Sequence, residues 1–122
     1  MAPLADILEN SMFTRLYTGE DGQSHFEEID MEVGQFSWGE LKTATGIMFR
    51  KDHPGKFIDW HPAPRRQFIV TLSGLVEIGL GDGTIRQFGT GNVMLADDTT
   101  GHGHTTLVVG DVIRISVAIP ID

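Results

Sequence analysis

The feature that most narrows what this chain can fold into is its punctuation: from residue 43 to residue 119, short apolar segments alternate with glycine turns. Phe68-Ile69-Val70-Thr71-Leu72 is the clearest segment, rich in the β-branched and apolar side chains that suit a pleated strand. Ser73-Gly74 turns into Leu75-Val76-Glu77-Ile78, and Gly81-Asp82-Gly83-Thr84 offers the Asp-Gly pair that favours a tight hairpin. Residues 85–88 return, Gly89-Thr90-Gly91 turns again, and Val93-Met94-Leu95 makes another short strand. Residues 105–109 and 112–119 complete the set, separated by Gly110-Asp111. Strands of about five residues with a turn every ~8–12 residues are the mark of a sandwich or barrel. Fifteen Gly and five Pro in 122 residues supply the many turns that an all-β fold requires.

Upstream the pattern is thinner. Residues 26–33 alternate in part, through Phe26, Ile29, Met31 and Val33, and predict an early strand. Residues 43–51 predict another, carrying Ile47, Met48 and Phe49 and closed by the turn His53-Pro54-Gly55. Residues 3–12 predict one short helix with Leu4, Ile7 and Leu8 on a face. A length of 122 residues fits one domain, residues 1–122, with a barrel core over 26–119 and an N-terminal segment over 1–25. Apolar content of 40% and seven Phe suffice for one core and exclude wholesale disorder.

The formal charge of −8 is unevenly placed: residues 1–40 hold nine acids and one base, while residues 41–122 hold eight of each. An acidic chain gains nothing from counterion release, so no nucleic acid is expected as a partner. The absence of Cys excludes a disulfide framework, a thiolate metal site and a thiol nucleophile. The first residues carry acids where a secretory leader is basic and then apolar, and no apolar run reaches the roughly 18 residues of a membrane span. The expectation is a soluble cytoplasmic protein with no membrane partner. Gly79-Leu80-Gly81-Asp82-Gly83 lacks the Lys and the following helix of a phosphate loop and reads as hairpin chemistry, so no nucleotide cofactor is implied. With no Cys and no Ser in a strand-turn-helix elbow, a nucleophilic hydrolase is disfavoured.

Two half-sites stand out. His61 opens Trp60-His61-Pro62-Ala63-Pro64-Arg65-Arg66-Gln67, an element running through the clearest strand to Gly74. The second starts at Gly91, passes Val93-Met94-Leu95 and Asp97-Asp98-Thr99-Thr100, and ends in Gly101-His102-Gly103-His104. Asp97 to Thr100 read as a side-chain-bonded turn that positions the histidines after it. The pattern resembles the cupin family over about residues 45–118. In that family the first motif has two histidines two apart, then a Glu, then a Gly seven residues later; the second runs from a Gly through a short strand to a further His. Gly74 fixes the register, placing Gln67 at the Glu, His61 at the first His and Ala63 at the second. Strict spacing selects His102 for the last, and the flanking glycines make His104 an equal donor.

The resemblance implies an all-β, single cupin-type barrel, a double-sheet jelly roll. It also implies a metal-dependent enzyme of oxygenase, isomerase, lyase or decarboxylase type acting on a small organic molecule. His61, Gln67 and His104 would hold a divalent transition metal, with His102 as fourth ligand or acid–base group. Neutral imidazoles with an amide oxygen suit Fe, Ni, Mn, Cu or Zn without choosing among them. From the residues themselves, Arg65 or Arg66 can take a substrate carboxylate in bidentate fashion, or both are surface arginines matched to acids such as Asp97 or Asp98. Glu77 interrupts an apolar strand: facing inward it is a proton-transfer candidate, facing outward an ordinary solvent-facing residue. Trp60, Phe49 and Met48 would line the pocket of a metal-free binding protein, and a histidine with Glu77 would serve a metal-free isomerase. His25 and His53 match no motif and read as surface residues. If Gln67, Ile69 and Thr71 face inward, then Phe68, Val70 and Leu72 face outward and need a cover, either the N-terminal segment or the second subunit of a homodimer.

Overall fold

The computed structural model describes residues 12–34 and 36–121. Ten strands account for the fold: β1 (Phe13–Thr18), β2 (Ser24–Glu28), β3 (Met48–Asp52), β4 (Phe57–His61), β5 (Gln67–Ser73), β6 (Leu75–Gly79), β7 (Ile85–Phe88), β8 (Val93–Asp97), β9 (His104–Val109) and β10 (Arg114–Pro120). They form a six-stranded sheet, β2-β1-β8-β5-β10-β3, and a four-stranded sheet, β4-β9-β6-β7. Every pairing is antiparallel except β1 with β8. The inner faces meet in a core that includes Leu16, Ile69, Val76, Ile78, Phe88 and Met94. No helix among the described residues is long and apolar enough to cross a membrane. The helix expected over residues 3–12 falls almost wholly outside the described residues.

β5 behaves as its alternation requires. Gln67, Ile69 and Thr71 are 3%, 7% and 1% exposed, while Phe68 and Val70 are half-buried and Leu72 is exposed. Part of the outward row is covered from within the chain, because Phe36 meets Phe68 edge-to-face at 5.3 Å and Trp38 meets Phe13 in the same way. Phe49 and Leu72 stay open, at 73% and 49% exposure.

The structure differs from the sequence expectation at three places. The strands of the larger sheet begin at Phe13, so much of residues 1–25 belongs to the barrel rather than to an extension. The early strand stops at Glu28, where its partner β1 runs out. The Asp30 side chain then accepts the Glu32 amide at 2.9 Å and starts a turn instead. The element expected to run unbroken from His61 to Gly74 is two strands in different sheets, because His61 ends β4 and Gln67 opens β5. Pro62 and Pro64 between them lack the N–H that a continuing ladder needs.

Two glycines hold these strands where they are. Gly74 has φ +80°, and a Cβ there would press on the Arg114 backbone. Gly103 also has φ +80°, and a Cβ there would run into the carbonyl of His61. Only glycine reaches that conformation without penalty and permits that approach.

Candidate functional site

Between the sheets lies a cavity of about 290 Å³. Its middle is apolar, walled by Ile69 and Met94 from the larger sheet and by Val76, Ile78 and Phe88 from the smaller. Its polar groups collect in two places.

At one end β4 and β9 set His61 opposite His104 in register, with ring centroids 4.5 Å apart. The Nδ1 of His61 lies 2.7 Å from the Asp59 carbonyl oxygen, and the Nδ1 of His104 lies 2.6 Å from Oδ2 of Asp98. A carbonyl or carboxylate oxygen only accepts, so each Nδ1 carries the hydrogen and donates it, which leaves Nε2 as the ring nitrogen not engaged by these bonds. Asp98 is fully buried, and Ser24 Oγ donates to the same Oδ2 at 2.6 Å while Oδ1 has no partner among the described residues. Gln67 enters from the opposite sheet, and its Oε1 is buried without a hydrogen-bond partner among the described residues. A buried acceptor left open costs about 1–3 kcal/mol, so Gln67 is poised for a donor or a cation.

Elsewhere in the cavity wall stand two guanidinium groups. Arg114 on β10 is 6% exposed, donating to Ser116 Oγ at 3.2 Å and to Thr71 Oγ1 at 3.1 Å. Arg50, half-buried on β3, lines the same cavity. Burial first, and then the neighbouring Arg50 charge, lower the Arg114 pKa from its ordinary value, with Asp52 partly offsetting them.

No protein-family model matches the sequence, and no curated protein matches it. Solved structures do. An uncharacterised conserved protein with a double-stranded β-helix domain from Klebsiella pneumoniae aligns with a TM-score of 0.52 at 24% identity over 66% of each chain, just under two thirds of that protein's length. A cupin domain from Bordetella pertussis Tohama I aligns with a TM-score of 0.50 at 18% identity, over 67% of this chain and 92% of that one. The fold is that of a small cupin.

In this cupin-type barrel the residues expected at the site divide. His61, Gln67 and His104 line one cavity, and Ala63, where the family's second histidine would stand, lines it too without a donor atom. His102 lies outside: it is exposed, stacked on the Trp60 ring at 4.2 Å, with its Nδ1 2.9 Å from Gln23 Oε1. Trp60 and Phe49 are 41% and 73% exposed and do not line the cavity. Arg65 is exposed, and Arg66 is bound to Asp97 at 3.1 Å beside Arg15, so neither reaches the interior. Glu77 stands on the outer face of β6 and accepts from Gln87 at 2.9 Å, away from both histidines. Alternation explains the placement of Glu77, since Val76 and Ile78 take the inward positions of β6.

Among the described residues no group of three or more His, Cys, Asp and Glu side chains gathers for a metal ion. His61, His104 and the orphaned Gln67 oxygen line the same cavity, and imidazoles with an amide oxygen are donor types that suit an imidazole-favouring ion with coordination positions to spare. Asp98 and the Asp59 carbonyl orient the two imidazoles as supporting groups do around metal-bound histidine. Two residues of the cavity wall were missed by sequence reasoning, Arg50 and Arg114, while Asp98, read as part of a turn that positions the histidines, does so by direct contact with His104. Arg114 had a signal, a cation interrupting the apolar run Val112-Ile113-Arg114-Ile115 and sharing parity with Ser116.

Proposed function

We propose that this cupin is a metal-dependent enzyme that acts on a small organic molecule held in the barrel cavity. The observation that carries the reading is what lines the cavity: two imidazoles with Nδ1 anchored and ring centroids 4.5 Å apart, and a buried amide oxygen with no partner among the described residues. His61, His104 and Gln67 would hold a divalent transition ion, which supplies Lewis-acid polarisation or a metal-bound nucleophile when present. The chain's own part is to fix the imidazole tautomers through Asp59 and Asp98 and to exclude water with the apolar middle of the cavity. His102 and Glu77 take no role in this arrangement.

Elemental analysis of the purified, untagged protein tests it, before and after reconstitution with Fe, Ni, Mn, Cu and Zn salts. Near-stoichiometric metal that is lost in His61→Ala and in His104→Ala is the expected result. No metal under any condition sinks the reading. A second reading then has its own support in the Ser24–Asp98–His104 chain, where a buried carboxylate orients one imidazole for metal-free acid–base work. We place the protein in the cytoplasm, in keeping with a chain that uses no cysteine. We also propose a homodimer formed over the outer face where Phe49 and Leu72 stay open.

A further inference from the structure

We propose that Arg50 and Arg114 form a carboxylate-binding subsite in the cavity, so that the ligand is a small organic acid whose apolar body lies against Ile69, Ile78 and Met94. This deepens the reading above and rests on the same cavity being the binding site.

Arg114 is buried, yet its two hydrogen-bond partners among the described residues are the neutral hydroxyls of Ser116 and Thr71. Its Nε is buried with no partner among the described residues. The acid in register with it, Asp52, is held by Lys56 at 2.7 Å. Arg50 lines the same cavity and makes no hydrogen bond or ion pair among the described residues. Two guanidinium groups thus line one cavity, and although the Asp52 charge acts on Arg114, neither group is hydrogen-bonded to a carboxylate among the described residues, an arrangement that favours an anion.

The hydrogen-bonding sense agrees. Because Thr71 Oγ1 accepts from Arg114, its hydroxyl hydrogen is left to donate, and Thr71 lines the cavity. The subsite is therefore rich in donors, which suits a planar two-oxygen acceptor. Apolar walls continue from there toward His61 and His104, as an organic body requires. The volume, about 290 Å³, is roughly twice the ~150 Å³ of an apolar cavity that accepts benzene, so an aromatic or branched acid fits.

Calorimetric titration with benzoate, its neutral counterpart benzamide, and inorganic phosphate tests the subsite on wild type, Arg50→Gln and Arg114→Gln. The expected result is saturable benzoate binding, at least tenfold tighter than benzamide, and weakened tenfold or more by Arg50→Gln with benzamide unchanged. Arg50→Gln decides the matter, because it alters a half-exposed side chain, whereas Arg114→Gln removes buried donors and can unfold the chain. The proposal is overturned by the absence of saturable benzoate binding, by equal binding of benzoate and benzamide, or by indifference to Arg50→Gln. Phosphate binding tighter than benzoate with the same Arg50 dependence overturns the carboxylate class. Metal content measured on the same samples separates the two readings. Arg50-dependent benzoate binding in a protein that takes up no metal keeps the subsite and removes the metal centre, and metal uptake without it does the reverse.

Discussion

Replacing Gly103 by Ala tests whether a glycine, rather than either histidine, sets the geometry of the site. Gly103 sits at φ +80° with the carbonyl of His61 in the space a Cβ would fill. Two costs add. A non-glycine residue in the left-handed region costs about 1–2 kcal/mol, and forcing His61 and Pro62 away from a packed position costs about 1–3 kcal/mol more. The total is about 2–5 kcal/mol, which at ~4 °C per kcal/mol for a chain of this length lowers the melting temperature by about 8–20 °C. Gly83 supplies the control, because it has φ +91° with nothing within 4 Å of its Cβ position. Gly83→Ala carries the conformational cost alone, about 1–2 kcal/mol or about 4–8 °C. The entropy that an added methyl removes from the unfolded chain is common to both and cancels in the difference. Thermal and urea denaturation of the two variants measures the gap. The imidazole resonances of His61 and His104 should move in Gly103→Ala and hold still in Gly83→Ala. Equal loss of stability in the two variants would refute the close approach of residue 103 to His61 as the reason for glycine.

Asp98→Asn replaces the carboxyl whose oxygen Ser24 and His104 share, and should cost about 1–3 kcal/mol, the range for weakening buried hydrogen bonds, while lowering metal affinity ten- to a hundredfold; unchanged urea midpoint and metal affinity would dismiss the chain as incidental. Glu77→Gln and His102→Ala, both outside the cavity, should leave benzoate binding unchanged and stability within about 0.5 kcal/mol; a tenfold loss of binding in either would mean that the cavity is wrongly placed. Backbone amides, those of Gln23 and Thr84 respectively, hold the Asp21 and Asp82 carboxyls below the usual carboxylate range, with His25 also acting on Asp21. Because the folded pKa values are the lower ones, their stabilisation is present above about pH 4 and is lost on acidification through that range, so Asp21→Asn with Asp82→Asn should flatten the acid limb of the urea midpoint. An identical limb would discard those turns as its source. Light scattering should find a dimer in the wild type and a monomer in Phe49→Asp, since Phe49 is 73% exposed; a wild-type monomer would retire the proposed dimer.

The barrel was legible because its signal is local. Period-two alternation in Gln67–Ser73 names the inward row without knowledge of any other strand, and Gly74 and Gly91 mark turns by themselves. β1 hid because the residues it buries most deeply include Thr14, a polar side chain that masks its alternation. Of the residues named for the site, family spacing brought His61 and Gln67 to the cavity but selected His102, which lies outside it, and His104 was reached through the flanking glycines. Arg65 or Arg66 could be read as a substrate ligand because they adjoin Gln67 in the chain, or as surface arginines matched to acids, and the pairing of Arg66 with Asp97 follows the second reading. The guanidinium groups that do face the cavity come from residues 50 and 114, paired strands 64 positions apart whose shared interior face is fixed by the register Ser116↔Arg50 and Arg114↔Asp52. A cation on an inward position lowers the apolar contrast that pattern reading relies on, so an anion-binding strand weakens its own signature. The same logic covers Asp98. It follows β8 and looks like turn chemistry, yet it orients His104 through a contact made only when β9 folds back beside β4. Polar residues that do chemistry in a small barrel are therefore the ones a one-dimensional pattern places last, and here they are reached from the partnerless atoms of Gln67, Asp98 and Arg114.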